Sequence, residues 1–96
     1  MDYHSQRWKR IRKAVLRRDG YMCQVSIRYG RHVPANTVHH IFPAAEFPEY
    51  QWEPWNLISL SDEMHRSMHD KFTNELTAEG RRLLERTARM RGIKLE

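Results

Sequence analysis

A single cysteine, Cys23, stands among 96 residues, so no intrachain disulfide can form and a reducing, cytoplasmic setting is the expectation. Nothing near Met1 has the apolar stretch of a secretory leader. No apolar run approaches the roughly 20 residues that span a bilayer, and 30% of the residues are charged, so a membrane role is not expected. Repeats, low-complexity tracts and long linkers are absent as well, which leaves one small domain over residues 1–96 with little room for a core. A bound metal would help to hold so short a chain together.

Acidic residues are missing from one place in particular. Tyr3 to Arg18 carries Arg7, Lys9, Arg10, Arg12, Lys13, Arg17 and Arg18 and no Asp or Glu. The C-terminal stretch repeats the bias with Arg81, Arg82, Arg86, Arg89, Arg91 and Lys94, whereas the carboxylates gather between Val33 and Leu76. Basic arms around an acidic centre suit a polyanion gripped from both sides. A solvated helix face has the same composition, so charge alone does not decide the partner.

The centre is also where histidine concentrates. In "VHHIFPAAEFPEYQWEPWNLISLSDEMHRSMHD", His39 and His40 are adjacent and His65 and His69 lie four apart, with Asn56 between the pairs. Imidazole both ligates metals and exchanges protons near neutral pH, which makes this stretch the candidate site. His4 and His32 lie outside it and read as ordinary surface histidines.

Ser5 reads as the N-cap of a basic helix over residues 5–18, with Trp8, Ile11 and Val15 on its inner face. Asp19-Gly20 ends it. Tyr21 to Ile27 reads as a short strand before a turn at Tyr29-Gly30, Thr37 to Ile41 as a second strand and Leu57 to Leu60 as a third. Pro43, Pro48 and Pro54 keep the intervening segment out of helix or central strand. Ser61 caps a further helix, with Asp62 and Glu63 in its first turn, running to about Asn74. In it Met64, Met68 and Phe72 form an apolar stripe beside a His65 and His69 stripe, a spacing that lets two imidazoles reach one ion. Thr77 caps a basic helix over residues 77–91 whose buried face is Leu83, Leu84 and Ala88.

The ordered set "VHHIFP", "NLISL" and "HRSMH", with the upstream "RDGYMC" and "YG", resembles the HNH endonuclease family, and in particular its small phage and prophage members. The resemblance covers roughly Trp8 to Lys71. It implies an α+β fold in which a ββα-metal motif, here residues 37–73, is flanked by N- and C-terminal helices. It further implies that His39 ligates a metal and His40 is the general base. His65 matches the final family histidine, and His69 the additional ligand of the colicin-type nucleases. Asn56 matches the central Asn, which fastens the loop and orients the base. The activity implied is metal-dependent nicking or cutting of DNA that leaves 5′-phosphate and 3′-hydroxyl ends, with phage packaging proteins as candidate partners.

The residue types suit that chemistry. A neutral imidazole is a base of suitable strength at pH 7, and a divalent cation absorbs charge on the phosphate. Imidazole ligands favour Zn, Mn, Ni or Co, with Mg as the weaker candidate. Arg7, Arg10, Arg12, Lys13, Arg17 and Arg31 are the candidate DNA contacts. The rival reading is a noncatalytic DNA-binding module in which His39, His65 and His69 hold structural zinc, but such a site has no use for His40.

Two features depart from the family pattern. Relatives often hold zinc with two CxxC pairs. Here those positions read Cys23 with Ser26 and Ser61 with Met64, so packing that includes Trp8, Tyr21, Trp52 and Trp55 is expected to replace the metal. In addition, neighbouring strand residues point to opposite faces, so the first motif strand has to twist, bulge or end if His39 and His40 are to share one site.

Overall fold

The computed structural model describes residues 1–95. Helix α1 (Gln6–Arg18) is capped by the Ser5 hydroxyl, which accepts from the Trp8 N–H, and it buries Trp8, Val15 and Leu16. Helix α2 (Gln24–Arg28) follows, then β1 (Thr37–His40), β2 (Leu57–Leu60), α3 (Asp62–Met68) and α4 (Ala78–Arg91). The strands pair antiparallel with Thr37 opposite Leu60 and His40 opposite Leu57. This is the expected α+β arrangement of ββα with a helix on each side. Among the described residues no helix is long and apolar enough to cross a membrane.

The core fills the space between the two-stranded sheet and the helices. Leu57, Leu60, Met68 and Leu84 are almost fully buried, with Val15, Leu16, Leu83 and Ala88 around them. The β1–β2 connection contributes to packing as well as crossing the surface. Phe42 is fully buried and takes the edges of Phe47, Tyr50 and Trp55, its ring centroid 5.1, 5.3 and 5.8 Å from theirs. Two short 3₁₀ turns, Pro48–Tyr50 and Pro54–Asn56, carry the prolines at their first positions, where a missing N–H costs nothing.

Three expectations from the sequence need correction. Tyr21 to Ile27 is not a strand. Gly20 and Tyr21 both adopt left-handed backbone, at φ 62 and 58, and turn the chain sharply. Met22 makes only an isolated bridge to Pro34, and Gln24–Arg28 coils into α2. Secondly, α3 stops at Met68 rather than near Asn74. The Met68 carbonyl accepts from the Thr77 N–H at 2.9 Å, and the Ser67 carbonyl accepts from the Thr77 hydroxyl. The start of α4 thus takes carbonyls that a longer α3 would use. Asp70 then folds its own turn, its Oδ1 accepting from the Phe72 and Thr73 N–H groups. Thirdly, the stripe breaks with the helix: Met68 is buried and Met64 partly so, but Phe72 lies beyond the helix end and is 86% exposed.

Close approach between α3 and α4 depends on Gly80, whose missing Cβ would collide with the Met68 carbonyl oxygen. At the positions where relatives hold zinc, Cys23 is fully buried. The Ser26 hydroxyl donates to its sulfur at 3.2 Å. Of the aromatic residues expected to pack there, Trp8 is buried and Trp52 and Trp55 are half-buried, whereas Tyr21 is half exposed.

Asp19 joins α1 to the sheet. Its carboxylate accepts from Arg18 at 2.8 and 2.9 Å and from the Ser59 N–H of β2 at 3.1 Å. Burial alone would raise its pKa, but the hydrogen bonds from Arg18 and Ser59 outweigh that and hold it below the usual carboxylate range. Because the folded pKa is depressed, this stabilisation is complete above the unfolded value and disappears as pH falls through the folded one. Asp19→Asn is therefore expected to cost about 2 kcal/mol at pH 7. Urea titrations of the two proteins should converge as the pH drops below the carboxylate range, and a constant gap would contradict the assignment.

Candidate metal and catalytic site

β1 brings the first histidine pair to the site. Its last residue is His40, so the second histidine stands at the end of the strand. His39 and His40 line one cavity of about 540 Å³, together with His65, His69, Arg12 and Tyr3.

His39, His65 and His69 form a triangle. Their ring centroids are 5.3, 5.2 and 5.5 Å apart, and one nitrogen from each lies within 4.8 Å of the other two. Among the described residues this is the only group of three or more His, Cys, Asp or Glu side chains able to share an ion. His39 is 1% exposed, and both of its ring nitrogens are buried without a hydrogen-bond partner. An orphaned pair of buried nitrogens is costly, and a cation at the centre of the triangle would relieve one of them. Burial, reinforced by His65, His69 and His40, pushes the His39 pKa down to about 3. Burial also lowers the pKa of His65. Neutral imidazoles are the form a metal takes, so the donor set fits a divalent cation.

The helix supplies only one of the two later histidines. His65 sits on α3, but His69 is the first residue beyond it, extended at φ −128 and ψ 140, and bridged to Leu76. Its Nδ1–H donates to the Asn74 carbonyl at 3.2 Å, which leaves Nε2 for the cluster. The shared helical stripe of the sequence reading is thus replaced by a helix end and an ordered turn. The cluster forms all the same.

His40 lies outside the triangle. Its Nε2 is 3.0 Å from the Gln51 carbonyl, and since a carbonyl only accepts, Nε2 carries the proton and Nδ1 keeps its lone pair. Burial lowers its pKa, opposed by that hydrogen bond. The ring also stacks on Trp8, with centroids 5.3 Å apart and planes 18° from parallel.

Asn56 is fully buried and spends its side chain on backbone. Oδ1 accepts from the Phe42 N–H at 2.7 Å, while Nδ2 donates to the Phe42 and Tyr50 carbonyls, each at 3.1 Å. These bonds fasten the residues just beyond His40 to those just before Gln51.

The candidate DNA contacts divide. Arg12 lines the cavity and donates to the Asn36 carbonyl, and the exposed Arg10, Lys13, Arg17 and Arg31 are available to a polyanion. Arg7 is exposed as well and lies over the Trp52 ring, 4.0 Å from its centroid. The Gln51 and Asn74 carbonyls, which orient His40 and His69, were invisible in the sequence because every residue has a carbonyl. The Trp8 stack left only a partial signal, an aromatic residue on the inner face of α1.

The ββα crossing thus carries a histidine triangle able to share an ion, with a separate imidazole beside it in the same cavity. No family model and no curated protein matches the sequence. Among solved structures the chain is similar to the HNH endonuclease of the deep-sea thermophilic bacteriophage GVE2, crystallised with manganese ion. The two are 36% identical over 67% of this chain and 70% of that one, with a TM-score of 0.65. The chain belongs to the HNH endonuclease family.

Proposed function

We propose that residues 1–96 act as one nuclease domain that hydrolyses phosphodiester bonds of DNA, with His39, His65 and His69 holding one divalent metal and His40 as general base. The observation that carries this reading is the pairing of a neutral, partnerless His39 in a three-histidine cluster with a second imidazole whose tautomer is set by Gln51. His40 Nδ1 takes a proton from water, the water oxygen attacks phosphorus as the P–O3′ bond breaks, and the departing 3′ oxygen takes a proton from solvent, leaving 5′-phosphate and 3′-hydroxyl ends. A bound ion would supply Lewis-acid stabilisation of the charge that develops on the phosphate and the departing oxygen. Arg12 at the cavity and the exposed bases of α1 hold the backbone on either side. Manganese in the phage GVE2 structure supports a divalent ion here, and the imidazole donors admit Mn, Zn, Ni or Co.

Asn56 acts as an orienting residue, because its three hydrogen bonds go to backbone around the base. Phage packaging proteins are the candidate partners. The structural-zinc alternative is disfavoured, because structural zinc is enclosed by four protein ligands, whereas this cluster offers three and opens onto a cavity that also contains His40.

The test is conversion of supercoiled plasmid to nicked circle with Mn, Mg, Ni or Zn and with chelator, run beside thermal melts. Metal at about 100 times its Kd is expected to add about 2.7 kcal/mol of stability, roughly 10 to 20 °C in Tm for a chain of this size. His65→Ala should lose both the shift and the nicking. Stabilisation by metal with no cleavage under any condition would favour the structural-zinc module.

A further inference from the structure

The proposed base is oriented by a helix outside the ββα motif. We propose that Trp8 of α1 is a positioning residue for His40, acting with the Arg7–Trp52 contact, an inference that rests on the nuclease reading above.

A histidine ring has two side-chain torsions, and one hydrogen bond cannot fix both. The Gln51 carbonyl sets the direction of Nε2. The plane of the ring is set by the stack on Trp8, which is 5% exposed and so has no freedom to follow a wandering partner. Tyr3 closes the assembly by meeting Trp8 edge-on at 5.3 Å and His40 at 6.1 Å. The carbonyl has its own anchor to the same helix, because Trp52 follows Gln51 directly and Arg7 covers its ring. Adjacent residues of α1 therefore act on His40 from two sides: Trp8 on its face, and Arg7 through the loop that presents its acceptor. The packing of α1 onto the sheet thereby sets where Nδ1 points. Trp8 is buried and offers nothing to the substrate, so the expected signature of its loss is in kcat with KM unchanged.

The experiment compares wild type with Trp8→Phe, Trp8→Leu and Trp52→Ala by nicking kinetics and by ¹⁵N NMR of the histidine rings in the metal-free protein. Trp8→Phe keeps a flat ring and should stay close to wild type. Trp8→Leu should lower kcat by about 10- to 100-fold, with plasmid KM and metal affinity unchanged, and its His40 ¹⁵N shifts should move from the Nε2–H tautomer to a mixture. Trp52→Ala, at a half-buried position, should move both readouts the same way by less. A folded Trp8→Leu with wild-type kcat and unchanged ring shifts overturns the proposal. Should Trp8→Leu fail to fold, Trp52→Ala decides it by the same two readouts. If wild type cuts nothing, the nuclease reading is what fails, and the tautomer measurement still judges the positioning by itself.

Discussion

Replacing His40 by alanine should reduce nicking by about 10²- to 10⁴-fold, the range a general base contributes, while leaving the metal bound. The reasoning is geometric. His40 Nε2–H is committed to the Gln51 carbonyl, so Nδ1 is the nitrogen with a lone pair to offer water. His39, His65 and His69 cluster without its help. Metal should therefore still raise Tm in the variant as in wild type, which separates this substitution from His65→Ala. Measured side by side, plasmid nicking and metal-dependent melting give a two-way answer. Cleavage at the wild-type rate by His40→Ala would move the base to another residue, and loss of the thermal shift would make His40 part of the metal cluster.

Asn56→Ala is expected to have the largest effect on stability. Its amide makes three hydrogen bonds, at 2.7, 3.1 and 3.1 Å, in a fully buried position. Truncation leaves the Phe42 N–H and two carbonyls without that partner. At about 1 kcal/mol for each net bond, with a further penalty for each buried group left unsatisfied, the cost is about 3 kcal/mol or more. Small domains have about 5 to 15 kcal/mol in total. Urea denaturation followed by Trp fluorescence would measure it directly. Activity should also fall at temperatures where the variant is folded, because Phe42 and Tyr50 lie close to His40 and Gln51 in the chain. A Tm within a degree or two of wild type would show that the loop holds itself without the amide.

Both expectations rest on residues whose type and order were legible beforehand, and the reason is the range over which the signals act. Ser5, Ser61 and Thr77 each cap the backbone three residues ahead, a local interaction that makes helix starts readable. β2 was readable for a similar reason, being a short, mainly apolar run bounded by a proline and a helix cap. Helix ends are decided elsewhere. α3 stops at Met68 because Thr77, nine positions later, takes the Met68 carbonyl, and because Gly80 lets α4 come close enough to do so. No periodicity within residues 61–74 carries that information, so the apolar stripe was extended onto Phe72, which is exposed. The segment after Asp19 misled in the opposite direction. Its apolar residues suit a strand, but the left-handed turn at Gly20 and Tyr21 and the Val33 carbonyl that accepts from the Cys23 N–H direct it into a helix.

By itself, then, the sequence determined the chemical inventory: four histidines and an asparagine in a fixed order, basic flanks, local caps and too few cysteines for a four-cysteine zinc site. It could do so because those properties belong to residue types and short spacings. Tertiary structure alone decided the geometry. His69 reaches the cluster from an extended turn rather than a helix face, His39 loses every hydrogen-bond partner to burial, and Arg7 and Arg18 are engaged by Trp52 and Asp19. It also placed Trp8 against His40, joining residues 32 positions apart through the packing of α1 on the sheet. Such contacts depend on long-range packing and on backbone carbonyls that every residue possesses, and neither leaves a mark on local pattern.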